Sequence, residues 1–165
     1  MSTALDQRIA AGLAAPVHEA VRAFAARVAG ASGALAVLFY GSNLRTGLLE
    51  GVLDYYVLLP GPAESGIWPR VSYHEWPHDG ATLRAKGATR TMAKCEQACS
   101  GDLLDTTIWA RFTQPSALVW QHDEAAAARV RAAVAAAAQT AARLAAVLGP
   151  QGAPAEDYWA ALVRA

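Results

Sequence analysis

The stretch VLFYGSNLRTGLLEGVLDYYVLL, residues 37–59, decides how this 165-residue chain is read. It continues an apolar run, Leu35 to Tyr40, rich in strand formers and free of charge, the pattern of a buried central strand. Gly41-Ser42-Asn43 breaks the run sharply. A segment of helical size follows. Then comes Val52 to Leu59, a second buried strand, stopped by Pro60-Gly61-Pro62. That second strand carries one charge, Asp54. A carboxylate inside an apolar strand is costly to bury unless something compensates it. A core arginine such as Arg45 would do so structurally, a metal ion functionally.

The pattern outward from this stretch is mixed. Leu5 to Ala14 predicts a short helix stopped by Pro16. Val17 to Val28 repeats apolar residues at helical spacing and predicts a second helix ending at Gly30. Downstream, Val71 to Trp76 and Thr82 to Met92 bracket His78-Asp79-Gly80. Asp-Gly is a strong hairpin signal, so these segments are expected to pair antiparallel. Lys94 to Cys99 and Leu103 to Phe112 read as helices, and Ala117 to Trp120 as a last strand. Asp123 is a good N-cap for a long helix over 124–148, ended by Gly149-Pro150. Its apolar stripe is Val130, Val134, Leu144, Val147 and Leu148. Its many small residues suit close packing against the sheet or a second copy of the chain, so a homo-oligomer is compatible with it. Pro154 starts another helix. The chain stops at Ala165 without a stop signal, which predicts an incomplete C-terminal part. The expected organisation is a sheet domain over 1–121 and a helical segment over 122–165.

Composition narrows the classes. Apolar residues make up 54% and charged residues 17%, enough to bury a core, which excludes a disordered chain. Lys plus Arg and Asp plus Glu are 14 each, so the chain lacks the basic excess of a nucleic-acid binder. The N-terminus has no secretory pattern and no run is suited to span a bilayer, so a cytoplasmic location is expected. The only cysteines, Cys95 and Cys99, are no disulfide scaffold. His74 and His78 with those cysteines have H-x₃-H and C-x₃-C spacing. Pro77 interrupts the first pair, and both pairs read more simply as hairpin-end histidines and buried thiols.

A strand running into Gly-Ser, with an acidic residue about ten positions later on a second strand, has a chemical reading. Gly41 lets backbone approach a phosphate without a side chain in the way. Ser42, Asn43 and nearby amides would contact phosphate oxygens, and Asp54 would hold Mg²⁺ bridging a triphosphate. Lys86, one of two lysines in the sequence, lies on a predicted strand that would neighbour Asp54. It would offset triphosphate charge as a point cation. Arg111 would do the same from a helix end, or else meet the carbonyls of its own helix. Two positions beyond Asp54, where a second carboxylate would complete a metal site, stands Tyr56.

The arrangement resembles the nucleotidyltransferase superfamily. Within it, Tyr40-Gly41-Ser42 followed by Asp54 and hydrophobics is similar to the mitochondrial-type phosphatidate cytidylyltransferases and their bacterial relatives, the translocator-maintenance family. Val71-Ser72-Tyr73, Leu83-Arg84-Ala85-Lys86-Gly87 and the run Ile108 to Pro115 resemble further motifs of that family, in order, over roughly residues 24–150. The resemblance implies an α/β (α+β) fold, a nucleotidyltransferase-like mixed sheet flanked by helices with a C-terminal helical segment. It implies Mg²⁺-dependent cytidylyl transfer from CTP to phosphatidic acid, giving CDP-diacylglycerol, with peripheral contact at the inner membrane face. The catalytic aspartate would fall on Asp54, the phosphate loop on Gly41 and Ser42, and the strand lysine on Lys86. The family's acidic position two before that lysine is Arg84. With Tyr56, this leaves a second reading open, a degenerate domain that binds a nucleotide or partner without turnover. A third is transfer to a non-lipid acceptor.

Overall fold

The computed structural model describes residues 3–165. Five strands form one open mixed sheet: β1 (Ala36–Tyr40), β2 (Val52–Leu59), β3 (Arg70–His78), β4 (Ala81–Thr91) and β5 (Ser116–Gln121). Their order is β3-β4-β2-β1-β5. β2 and β4 pair in parallel, and the other neighbours run antiparallel. Six α-helices among the described residues flank the sheet: α1 (Ala4–Leu13), α2 (Glu19–Ser32), α3 (Ser42–Thr46), α4 (Met92–Cys99), α5 (Glu124–Leu148) and α6 (Ala155–Arg164). The fold is therefore mixed α+β with a C-terminal helical segment. None of these helices is long and apolar enough to cross a membrane.

Alternation along the strands divides the core in two. Leu53, Tyr55 and Val57 of β2 and Val37 and Phe39 of β1 face α2, where Phe24 meets the Tyr55 ring edge-on. The buried Tyr55 hydroxyl donates to the Val21 carbonyl at 2.7 Å, tying α2 to the sheet. On the other face Ala36, Leu38 and Leu58 pack under α1, α4, α5 and a 3-10 helix, Trp109–Thr113. The β3–β4 hairpin turns at Asp79 and Gly80, with φ of 47° and 76°. Both central residues in the left-handed region define the type I′ turn that Asp-Gly favours.

Local chemistry moved several boundaries. α2 starts under a His18 cap, whose Nδ1 accepts from the Ala20 amide. It runs through Gly30, not to it, and ends at Gly33 with φ 69°; a run of alanines and small residues carries it past the expected stop. The segment expected as a helix over 103–112 is instead irregular up to a single 3-10 turn. Asp105 folds back to accept from the Thr107 amide at 2.8 Å, an Asx turn that competes with helix. α5 begins at the expected cap, with Asp123 accepting from the Ala126 amide. Its end differs: Gly149 is extended, not left-handed, as a residue before proline is, and the Tyr158 ring occupies the space where a Cβ would lie. The α5 stripe is also different. Val130 and Val134 are buried, but Ala133, Ala137, Ala141 and Ala145 complete the contact, while Val147 is 80% exposed. Alanine lets the helix approach closely, so small residues carry this packing.

Candidate functional site

The strand register places the candidate residues in one line. Across the sheet, Tyr73 of β3 pairs with Lys86 of β4, Lys86 with Asp54 of β2, and Asp54 with Tyr40 of β1. Residues paired in register share a face, with strands about 4.8 Å apart. Asp54 and Lys86 therefore stand side by side on the face away from α2. The next row is Val71, Ala88, Tyr56 and Leu38, and the one after it includes Arg90, Leu58 and Ala36.

Above these rows lies a cavity of about 340 Å³. The sheet supplies its floor through Tyr40, Tyr56, Lys86 and Arg90, and the segment around Ile108, Arg111 and Phe112 closes it from above. Trp68 and Pro69, from the loop before β3, form one side of the mouth. Tyr40 and Tyr56 stack with ring centres 4.1 Å apart and planes 11° from parallel. Phe112 meets Tyr56 at 5.9 Å.

The charges of Lys86 and Arg111 both act on Asp54 and stabilise its ionised form. Burial acts more strongly in the opposite direction and holds the Asp54 carboxyl above the usual aspartate range. Its charge neighbours are thus Lys86 and Arg111 rather than Arg45, which is exposed on α3. Gly41 completes the arrangement. Its φ of 88° and ψ of −165° lie where glycine alone is comfortable. A Cβ built there would stand 2.9 Å from Asp54 Oδ2. The absent side chain leaves that carboxylate oxygen uncovered.

Ser42 follows, exposed, as the first residue of α3. Of the candidate residues, Lys86 and Arg111 line the cavity; Gly41, Ser42 and Asp54 do not, and neither does Asn43. It is buried, and its Nδ2 donates to the carbonyls of Leu48 at 2.9 Å and Glu50 at 2.8 Å. Both amide hydrogens are spent on the turn between α3 and β2, so the side chain anchors this loop. Asn43→Ala is expected to cost about 1 kcal/mol or more, since two hydrogen bonds from a buried side chain to the loop are lost; a lowered denaturant midpoint measures it.

The position two beyond Asp54 is filled, as in the sequence, by a phenol, and it is no metal ligand here. Burial, followed by the Tyr40 ring, pushes Tyr56 well above the usual tyrosine range, so it stays a neutral hydroxyl. Arg84 pairs with Glu75 at 3.1 Å on the exposed sheet surface. Among the described residues no three His, Cys, Asp or Glu side chains converge. Cys95 and Cys99 are free and buried in α4, and His74 Nε2 lies 2.8 Å from Ser72 Oγ on the opposite face of the sheet.

Two lining residues were not singled out in the sequence: Arg90, and Thr107 just before the run Ile108 to Pro115. Arg90 was recoverable from parity, because residues 86, 88 and 90 of a strand share a face. No protein-family model matches this chain, and no curated protein matches it.

Proposed function

We propose that the cavity binds a nucleoside triphosphate, CTP by the resemblance of the motifs, and transfers its nucleotidyl group to a phosphate-bearing acceptor such as phosphatidic acid. The observation that carries this reading is the single row in which Lys86 stands beside Asp54, with Gly41 leaving Oδ2 open and Arg111 overhead. Lys86 and Arg111 supply the positive field that a triphosphate requires.

The donor set suits Mg²⁺ in one limited manner. Magnesium is commonly held by one or two carboxylates together with substrate phosphates and water, and Asp54 offers one carboxylate with an uncovered oxygen. Bound there with the nucleotide, the ion would neutralise charge on the phosphate oxygens. In the transfer, an acceptor phosphate oxygen forms a bond to the α-phosphorus of CTP. The bond from that phosphorus to the α–β bridging oxygen breaks, and pyrophosphate leaves. The acceptor oxygen is already ionised, so no general base is needed. Lys86 and Arg111 offset the charge gathered on the departing pyrophosphate.

A lipid acceptor needs an approach to a membrane surface. Trp68, which lines the cavity, is 77% exposed, Tyr73 beside Lys86 on the sheet is 75% exposed, and Ile67 and Val71, near them in sequence, are also exposed. Tryptophan and tyrosine on a rim beside basic groups match the chemistry of a bilayer interface.

The reading of a binding domain without turnover has its own support: Tyr56 and Arg84 stand at the two acidic positions, and each is engaged elsewhere in the fold. One experiment separates the readings. The chain is incubated with CTP, Mg²⁺ and phosphatidate-containing vesicles, and pyrophosphate release and CDP-diacylglycerol are followed. Formation of both supports the transferase. Saturable CTP binding without pyrophosphate supports the binding domain, and pyrophosphate release without lipid product moves the acceptor to another class.

A further inference from the structure

β3 is the outermost strand of the sheet. It is nine residues long, and only one of its two edges is used. The type I′ turn fixes which groups use it. A two-residue turn is closed by a hydrogen-bonded pair, here His78 and Ala81. Hydrogen-bonded and non-hydrogen-bonded pairs alternate from there. Arg70, Ser72, His74 and Trp76 therefore spend their backbone groups on β4, while Val71, Tyr73, Glu75 and Pro77 turn theirs outward. Among the described residues, no backbone hydrogen bond outside the β3–β4 ladder reaches Val71, Tyr73 or Glu75. Pro77 fits this assignment, since a strand accepts proline where the missing N–H would face out of the sheet. A free edge of this length is a template for another strand. Its donors are also symmetric. Pro69 and Pro77 bound the run, and the outward N–H groups between them belong to Val71, Tyr73 and Glu75. The pattern reads the same in both directions about Tyr73.

We propose that β3 pairs antiparallel with β3 of a second copy of this chain, about a two-fold axis at Tyr73, joining the two sheets into one. A two-fold interface makes each contact twice, so the surface must complement itself. In this register Tyr73 faces Tyr73 of the second copy, and Val71 faces its Glu75. Every outward N–H of Val71, Tyr73 and Glu75 then meets an outward carbonyl. Pro69 falls opposite Pro77 of the second copy, where neither has a donor to lose, and the ladder ends there. A register shifted by two residues sets Pro77 against Tyr73 and leaves a carbonyl without its donor. No like charges face each other across the pairing, and the exposed Tyr73 rings lie side by side. The pairing also reaches the candidate site. Tyr73 is in register with Lys86 and, through it, with Asp54. That row therefore continues into the second copy, and both cavities open on the same side of one sheet. The inference stands on the strand edge and not on the nucleotide reading.

The test is the mass of the full chain by sedimentation equilibrium over a concentration series, with no ligand added. A ladder this short is expected to give a weak dimer, with a Kd on the order of 1–100 µM. Tyr73→Lys sets two like charges opposite each other and deletes the ring contact. It is expected to weaken association at least about tenfold and to leave Tm unchanged, because the side chain it replaces is exposed. Tyr73→Cys reads the register. Residues opposite each other in a hydrogen-bonded pair have Cα atoms about 5.5 Å apart, within disulfide reach, so mild oxidation is expected to link two copies through position 73. Glu75→Cys is expected to stay unlinked, since position 75 faces position 71. A chain that remains monomeric up to about 1 mM overturns the pairing. A dimer indifferent to Tyr73→Lys overturns it too, as does a Tyr73→Cys variant that links no better than Glu75→Cys, because the contact then lies elsewhere on the molecule.

Discussion

Asp54→Asn is expected to raise the melting temperature of the ligand-free protein at neutral pH and to abolish Mg²⁺-dependent nucleotide binding. The two effects share one cause. Burial lifts the Asp54 carboxyl above the ordinary aspartate range, despite Lys86 and Arg111. A group whose folded pKa exceeds its unfolded value contributes stability below the unfolded pKa, and that contribution is lost as pH rises through the folded one. At pH 7 the ionised carboxylate is therefore a net cost to the fold, which asparagine removes. Thermal scans at pH 3.5 and pH 7 check the sign: the gain from the substitution should be larger at pH 7. The same change deletes the only carboxylate of the Asp54–Lys86 row. Turnover in the phosphatidate assay should fall on the order of 10³-fold, the scale of losing a principal electrostatic contact in a transition state. Free triphosphate, facing Lys86 and Arg111 without their counter-charge, should bind without metal at least as well as before. A variant less stable than wild type at pH 7, or one whose nucleotide binding still requires Mg²⁺, would contradict this account of the site.

A residue that costs stability where it sits and lies beside a cavity is commonly one kept for function. The sequence already isolated Asp54 on this ground, as a lone charge in an apolar strand. Its strand was legible to the residue, Val52–Leu59, because Pro60-Gly61-Pro62 gives an unambiguous stop. The hairpin was legible because Asp-Gly chooses its turn. That the Lys86 strand neighbours the Asp54 strand was an expectation, which the strand order bears out. Neither that adjacency nor the parallel register has a local motif, because parallel pairing is set by the connection through β3 and by packing on both faces.

The misreadings have local causes. Asn43 was grouped with Gly41 and Ser42 by proximity in sequence, but its amide turns toward the Leu48 and Glu50 carbonyls, partners that a linear motif does not display. The segment 103–112 has the composition of a helix, and the Asp105 side chain redirected it at Thr107. The stripe on α5 was sought among valines and leucines. The contact is made by alanines, whose value lies in how closely they let two backbones approach, and hydropathy alone does not register this. Arg90 and Thr107 became a pair only through folding: one lies on the cavity floor, the other on the segment above it, 17 positions apart in the chain.

Gly41→Ala is expected to damage both stability and the site, through two separable effects. The first is conformational. The backbone at φ 88° and ψ −165° lies in a region open essentially to glycine alone, and an alanine held there costs about 1–3 kcal/mol. For a chain of this size that is roughly 2–12 °C in melting temperature. The second is steric. The new methyl would stand 2.9 Å from Asp54 Oδ2, closer than carbon and oxygen tolerate without displacement. Asp54 is fixed on a central strand between β1 and β4, so the adjustment must come from its side chain or from the turn into α3. Either movement covers or shifts the oxygen proposed to face the nucleotide. The double variant Gly41→Ala with Asp54→Ala divides the two effects. Removing the carboxylate relieves the collision and leaves the backbone cost. The paired changes should therefore be less destabilising than the sum of the single ones, a coupling read from a double-mutant cycle of denaturant midpoints. Strict additivity would mean that the methyl never meets Asp54, and that glycine is required here for the conformation of its backbone alone.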